Sequence, residues 1–178
     1  DEISLFEQVL AALVGVRYAV SFGSQRAGMV TLLKTLNGAG GDEVIVPAYT
    51  FFSVPACIVQ AGFRPVFVDV DPNTGNLDPT QVQDAVTAKT RALIVTHLNG
   101  CPADMEPLLK IAQERNLLLI EDCAQALGAQ YRTKPVGSFG VGCFSFGEGK
   151  NLYAMGGGMV TTDDERLALG LRRARAQA

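Results

Sequence analysis

The sequence predicts an α/β fold, a three-layer α/β/α domain built on a mostly parallel sheet. Short apolar runs of strand length alternate with segments whose apolar residues recur at helical spacing. That is the rhythm of parallel strands joined by helical crossovers. The 178-residue chain is also 48% hydrophobic, which suits strands buried on both faces. A chain of this length is expected to form one domain with a sizeable core.

Leu5, Phe6, Val9, Leu10 and Leu13 recur at helical spacing, so a helix is expected from Ile3 to Val14, ended by Gly15. Tyr18 to Phe22 reads as a strand. Gly23 then turns the chain, Ser24 offers an N-cap, and a helix follows from Gln25 to Leu36. Glu43 to Pro47 is a buried strand, Phe52 to Ala61 a helix that accommodates Pro55 in its first turn, and Arg64 to Val70 a strand. Past the acidic turn Asp71–Gly75 come a helix, Pro79 to Thr87, and a strand, Ala92 to Thr96. Met105 to Asn116 reads as a helix, Leu117 to Glu121 as a strand. Cys143 to Phe146 and Met159 to Thr162 are further short strands, and Asp163 to Ala178 is a helix.

Composition excludes several classes. A net charge of −3 gives no electrostatic footprint for nucleic acid or an anionic membrane. No apolar run reaches the length of a membrane span, and Asp1-Glu2-Ile3 lacks a basic leader region. Cys57, Cys101, Cys123 and Cys143 stand far apart without a Cys-x-x-Cys pair. They read as buried thiols of a reducing compartment, not as a metal site, so a cytoplasmic location is expected.

In an open α/β sheet the ligand lies beyond the carboxyl ends of the strands. After Phe22 comes Gly23-Ser24-Gln25-Arg26-Ala27, a helix start with free N–H groups and a cation, suited to phosphate. A plain capped helix would look the same. After Pro47 come Tyr49, Phe51 and Phe52, one of which is placed to stack on a flat ring, although a lone aromatic is more often core. After the apolar run Leu117–Ile120 comes Asp122, a carboxylate that needs a cationic or hydrogen-bonding partner, followed by Gln125. Ser145, within the Cys143–Phe146 strand, offers a hydroxyl to a phosphate, although alone it is a plain strand serine, and Lys150 follows in a glycine-rich turn. An anion cradle, an aromatic, an acid, an amide and a lysine are together what pyridoxal 5'-phosphate (PLP) requires.

The segments Gly41-Asp-Glu-Val-Ile-Val-Pro-Ala-Tyr-Thr-Phe51, Pro65-Val-Phe-Val-Asp69, Glu121-Asp-Cys-Ala-Gln-Ala126 and Phe144-Ser-Phe146 with Lys150-Asn151 resemble the fold-type I, PLP-dependent sugar aminotransferases of the DegT/DnrJ/EryC/StrS group. The resemblance implies that Lys150 is the Schiff-base lysine and that Asp122 pairs with the pyridine nitrogen. It implies that Gln125 contacts the phenolic oxygen, that Phe51 stacks on the ring, and that Arg26, Ala27 and Ser145 hold the phosphate. It further implies a homodimer that takes an amino group from glutamate or glutamine and places it on a nucleotide-linked keto-sugar. Members of that family are much longer chains, so residues 1–178 are expected to be the PLP-binding large domain without its C-terminal small domain. A relative that binds PLP without turnover and a PLP-dependent sugar dehydratase are the alternatives; such dehydratases tend to replace the lysine. The chain departs from the family pattern at Gln25-Arg26, where Gly-Thr is usual, and at Gly147, where a histidine often stands.

Other motifs fail on their own chemistry. Gly23–Gly28 has the outer glycines of a P-loop, but Met29-Val30 replaces Lys-Ser/Thr. Cys143-Phe-Ser-Phe-Gly147 approaches a nucleophile elbow, yet a hydrolase using His97 would leave Lys150 and Arg26 unexplained. Asp69–Thr80 imitates a calcium loop, with its glycine one place late and no glutamate at its end.

Overall fold

The computed structural model describes residues 1–177. The chain begins with helix α1 (Glu2–Val14), strand β1 (Tyr18–Phe22), α2 (Gln25–Lys34), β2 (Glu43–Pro47), α3 (Ser53–Gln60) and β3 (Arg64–Val68). It continues through α4 (Pro79–Ala85), β4 (Thr90–Thr96), a 3-10 turn at Leu98–Gly100, α5 (Met105–Glu114) and β5 (Leu118–Asp122). The small strands β6 (Gln130–Tyr131) and β7 (Lys134–Pro135) precede β8 (Val141–Ser145), β9 (Gly158–Thr162) and α6 (Glu165–Arg175).

Seven strands form one sheet in the order β1-β9-β8-β5-β4-β2-β3. β9 runs antiparallel to both β1 and β8, and the remaining pairs are parallel. Six strands therefore point the same way, and their carboxyl ends share one edge. Alternation along each strand sends side chains to two separate cores. Val20, Val44, Val46, Ile94, Ile120 and Val160 pack under α2, α3 and α6. On the other face Ile45, Leu93, Val95 and Leu119 meet α4 and α5, while Ala19, Phe144 and Met159 meet α1. This is the three-layer arrangement the sequence predicts.

Local chemistry sets the helix ends. Asp1 accepts from the Ser4 N–H at the start of α1, and Gly15 closes it with φ 79°. Ser24 caps α2 through the Ala27 N–H, and Asp164 caps α6 through those of Arg166 and Leu167. α2 and α5 stop two residues short of the expected ends, and Asn37 and Asn116 just beyond them take left-handed φ of 48° and 53°. β3 stops at Val68, since Val70 turns to bridge Leu77 instead. β5 begins one residue late because the Leu117 N–H closes α5 on the Ala112 carbonyl. Phe146 leaves β8 to bond Gly157. The β6–β7 hairpin was not expected: two-residue strands carry no usable periodicity. The final helix covers Glu165–Arg175; of its expected span, Ala178 lies outside the described residues. Cys57, Cys123 and Cys143 are buried as expected, but Cys101 is exposed, carried outward by the turn after β4. Among the described residues no helix is long and apolar enough to cross a membrane.

α1, β1 and α6 meet at a buried carboxylate, Glu7. Glu7 accepts from the Ser21 N–H and hydroxyl and from Arg172 and Arg175, tying α1 to β1 and α6. Burial works against its ionisation, yet the hydrogen bonds from Ser21, Arg175 and Arg172 outweigh burial and hold the carboxyl below its ordinary value of 4.5. The stabilisation is therefore present above pH 4.5 and disappears as the pH falls through the lowered folded value. Glu7→Gln should lose about 1–3 kcal/mol at neutral pH, and the deficit should shrink in acid. Denaturant titrations at neutral pH and near ~pH 3 check this; an equal deficit at both would contradict it.

Candidate active site

A cleft of about 490 Å³ opens at the carboxyl edge of the sheet. It is lined by Ser24, Gln25 and Arg26 after β1, by Thr50 and Phe51 after β2, and by Thr96 at the end of β4. Asp122, Ala124 and Gln125 contribute from β5, and Ser145, Glu148 and Lys150 from β8. The structure thus brings together every expected site residue except Ala27, which does not line the cleft and whose N–H is held by Ser24 Oγ at 3.1 Å.

β5 ends in two consecutive carboxylates, and strand alternation sends them to opposite faces. Glu121 is fully buried. Its Oε1 accepts from the N–H groups of Phe139 (2.7 Å) and Gly140 (2.9 Å), and its Oε2 from the Gly137 N–H (2.7 Å) and His97 Nε2 (3.2 Å). His97 Nδ1 accepts the Ala103 N–H, so the ring proton sits on Nε2 and faces Glu121. The ligand atoms of His97, Glu121 and Cys123 lie within 4.8 Å of one another. The imidazole and the carboxylate are already engaged, and burial pushes the Cys123 thiol well above its ordinary value, so this cluster is a structural clasp. His97, the one histidine a hydrolase could use, is spent here.

Asp122 points the other way, into the cleft. Burial raises its pKa, opposed by the Gln25 amide, the Ala124 N–H and the nearby charge of Lys150. Oδ1 takes Gln25 Nε2 at 2.5 Å and the Ala124 N–H at 3.1 Å. No hydrogen bond engages Oδ2 among the described residues, which leaves it to a donor in the cleft. The partner that a carboxylate at the tip of an apolar strand requires is thus an amide from the start of α2, 97 residues distant.

Lys150 is carried on the loop 147–157. That loop is closed at its neck by Phe146, whose carbonyl accepts from Ala154 and Gly156 and whose N–H donates to Gly157. Gly149 (φ 75°) makes the turn before the lysine. The start of α2 is pressed against β9: a Cβ on Gly158 would lie 2.1 Å from the Gln25 nitrogen. That close approach holds the helix N-terminus, its free N–H groups and Arg26 beside the cleft. Phe51 lines the cleft and is 56% exposed, its ring tilted against that of Phe52 with centroids 4.5 Å apart. Gln125 Oε1 accepts the Asn99 N–H at 2.7 Å, which fixes the amide and presents Nε2 as a donor. The Thr50 and Thr96 hydroxyls, 3.0 Å apart at the cleft wall, were not singled out in the sequence. Isolated threonines at strand ends carry no pattern that would have marked them.

The sheet order and a lysine-bearing cleft at its carboxyl edge place the domain in the fold class of the fold-type I aminotransferases, shared by its solved neighbours. More narrowly, the chain belongs to the DegT/DnrJ/EryC1/StrS aminotransferase family, whose pattern it matches over residues 1–178. It is 45% identical over 168 residues to UDP-N-acetyl-3-dehydro-alpha-D-glucosamine 3-aminotransferase of Acidithiobacillus ferrooxidans, covering 93% of this chain and 46% of that protein. S. venezuelae DesV, solved in complex with a ketimine intermediate, superposes with a TM-score of 0.95 at 40% identity, covering 98% of this chain and 48% of that one. The E. coli GDP-4-keto-6-deoxy-D-mannose-3-dehydratase with bound hydrated PLP superposes at 0.89 with 32% identity, covering 94% and 45%. The chain spans about half the length of the relatives it matches.

Glu121→Gln turns one oxygen of the clasp into an amide that faces N–H donors. We expect a loss of about 3 kcal/mol, one charged hydrogen bond exchanged for an unsatisfied donor. The denaturation midpoint checks this, and an unshifted midpoint would contradict it.

Proposed function

We propose that residues 1–178 form the cofactor-binding large domain of a cytoplasmic PLP-dependent aminotransferase. The full-length enzyme moves an amino group from glutamate or glutamine to a nucleotide-linked keto-sugar. The observation that carries this reading is the pairing, in one cleft, of a buried carboxylate with a free oxygen and an amine on a glycine-bounded loop. The residues present fit the cofactor. Asp122 Oδ2 suits the pyridine nitrogen, Gln125 Nε2 the phenolic oxygen and the Phe51 ring the ring face. Ser145, Arg26 and the free N–H groups at the start of α2 suit the phosphate, with Ala27 in a lesser part because Ser24 already holds its N–H.

When bound, PLP supplies an aldehyde that condenses with amines and a protonated ring that draws electrons from the substrate carbon. The chain supplies the rest. Lys150 Nζ would hold the cofactor and, as a free amine, would take up and return a proton as general acid/base. Asp122, whose charged form Gln25, Ala124 and Lys150 favour against burial, would hold the proton on the ring nitrogen. The relatives' names support the sugar reading. One of them is a dehydratase, and retention of the Lys150 amine favours transamination over that chemistry. Tyr49, Phe52, Leu152, Tyr153 and Met155 are exposed on the loops that carry Phe51 and Lys150, in keeping with a homodimer whose second subunit covers them.

The test is a half-reaction. Mixing the PLP-loaded protein with glutamate should convert the cofactor to its amine form, seen as loss of visible-edge absorbance. Lys150→Ala should abolish conversion, and Asp122→Asn should slow it at least ~100-fold. Cofactor bound but unconverted would sustain the non-catalytic relative. Full activity in Lys150→Ala would remove the assignment.

A further inference from the structure

The Gln25 carboxamide spends both its N–H bonds on neighbouring strands, one on Asp122 Oδ1 at the end of β5 (2.5 Å) and one on the Cys143 carbonyl of β8 (3.0 Å). Both partners are acceptors, so the amide admits one orientation, since its reverse would set oxygen against oxygen. The Gln25 backbone is equally fixed. Its nitrogen lies against Gly158, where no side chain fits, and Ser24 is bridged to Gly157. A side chain locked at both ends, touching the buried carboxylate of the cleft, is a built contact rather than a surface residue passing by.

We propose that Gln25 is a positioning residue for Asp122: it clamps Oδ1 and thereby directs the unengaged Oδ2 at an N–H donor in the cleft. The proposal rests on the cofactor reading for the identity of that donor, the pyridine nitrogen, but not for the clamp itself. A glycine at this place, the residue usual in the family pattern, would leave Oδ1 to the Ala124 N–H alone. This chain has an extra donor where the carboxylate most needs one.

The clamp has an electrostatic consequence. Asp122 is buried, and burial favours its protonated, neutral form. The groups that face it are Lys150 from the loop after β8, His97 from the end of β4, Cys57 of α3, Cys143 of β8 and the adjacent Cys123. His97 is turned to Glu121 by its ring proton, and burial raises the three thiols. The Gln25 amide, the Ala124 N–H and the charge of Lys150 favour the carboxylate most, with His97 contributing least. Lys150 is also the amine the cofactor consumes, and the clamp persists when that charge is spent. A protonated Asp122 no longer accepts from a protonated ring nitrogen, so removing the clamp moves the acid limit of cofactor binding to higher pH.

Two variants test this. Gln25→Met keeps the shape and removes both donors, and Gln25→Glu sets a second carboxyl against Oδ1. Carbon-13 NMR of the ligand-free 178-residue chain reads the Asp122 carboxyl directly, and circular dichroism verifies the fold of each variant. Its titration should move upward in both. PLP titration followed by absorbance should then show affinity falling about tenfold on the acid side for each unit of that shift. In an Asp122→Asn background Gln25→Met should have no further effect on affinity, because the two act as one unit. An unmoved Asp122 titration in folded variants would overturn the clamp, as would tighter PLP binding in Gln25→Met, which would make Gln25 an obstacle. If the Asp122 titration moves while the wild-type chain takes up no PLP, the clamp stands and the cofactor reading falls.

Discussion

Two adjacent carboxylates at the tip of β5 must each find donors, on opposite sides of one sheet, and the structure around the cleft is the result. Glu121 is satisfied inward by three backbone N–H groups and an imidazole. That clasp folds the 137–140 segment over the end of the strand and absorbs the only histidine of the chain. Asp122 is satisfied only on one oxygen, and its incompleteness is what makes the cleft chemically directed. Alternation along a strand is a rigid rule. Neither residue could exchange roles without a one-residue slip that would turn the apolar residues of β5 to the wrong cores.

The other parts of the cleft follow from where elements stop. Parallel strands end together, so helix starts and loops collect on one edge. There the start of α2 gives N–H groups and Arg26, the loop after β2 gives Phe51, and the loop after β8 gives Lys150. The reversed strand β9 starts at the same edge, and its first residue, Gly158, lets its backbone lie against α2. Without that contact Gln25 would not be held where its amide meets Asp122.

The strand ends were legible because short apolar runs mark them, and each residue just past such a run was a site candidate on position alone. Asp122, Gln125 and Arg26 were found that way, Lys150 by its glycine-rich turn, and Phe51 was chosen among three aromatics only by the family resemblance; with Ser145 all line the cleft. What the sequence hid is what depends on tertiary closure. The Gln25–Asp122 contact spans 97 residues and looks in the sequence like an ordinary helix start. The buried role of Glu121 depends on a loop without regular structure that supplies the donors. Cys101, placed with the buried thiols, is exposed because a left-handed turn at Asn99 and Gly100 redirects the chain. The β6–β7 hairpin is too short for any periodic signal.

The central claim is that one particular amine of the cleft captures the cofactor. Reduction of the PLP-treated chain with borohydride, followed by proteolysis and mass spectrometry of the labelled peptide, addresses it directly. The account predicts a single modified lysine, Lys150. Label on Lys34, Lys89, Lys110 or Lys134, or no reducible adduct at all, would contradict it.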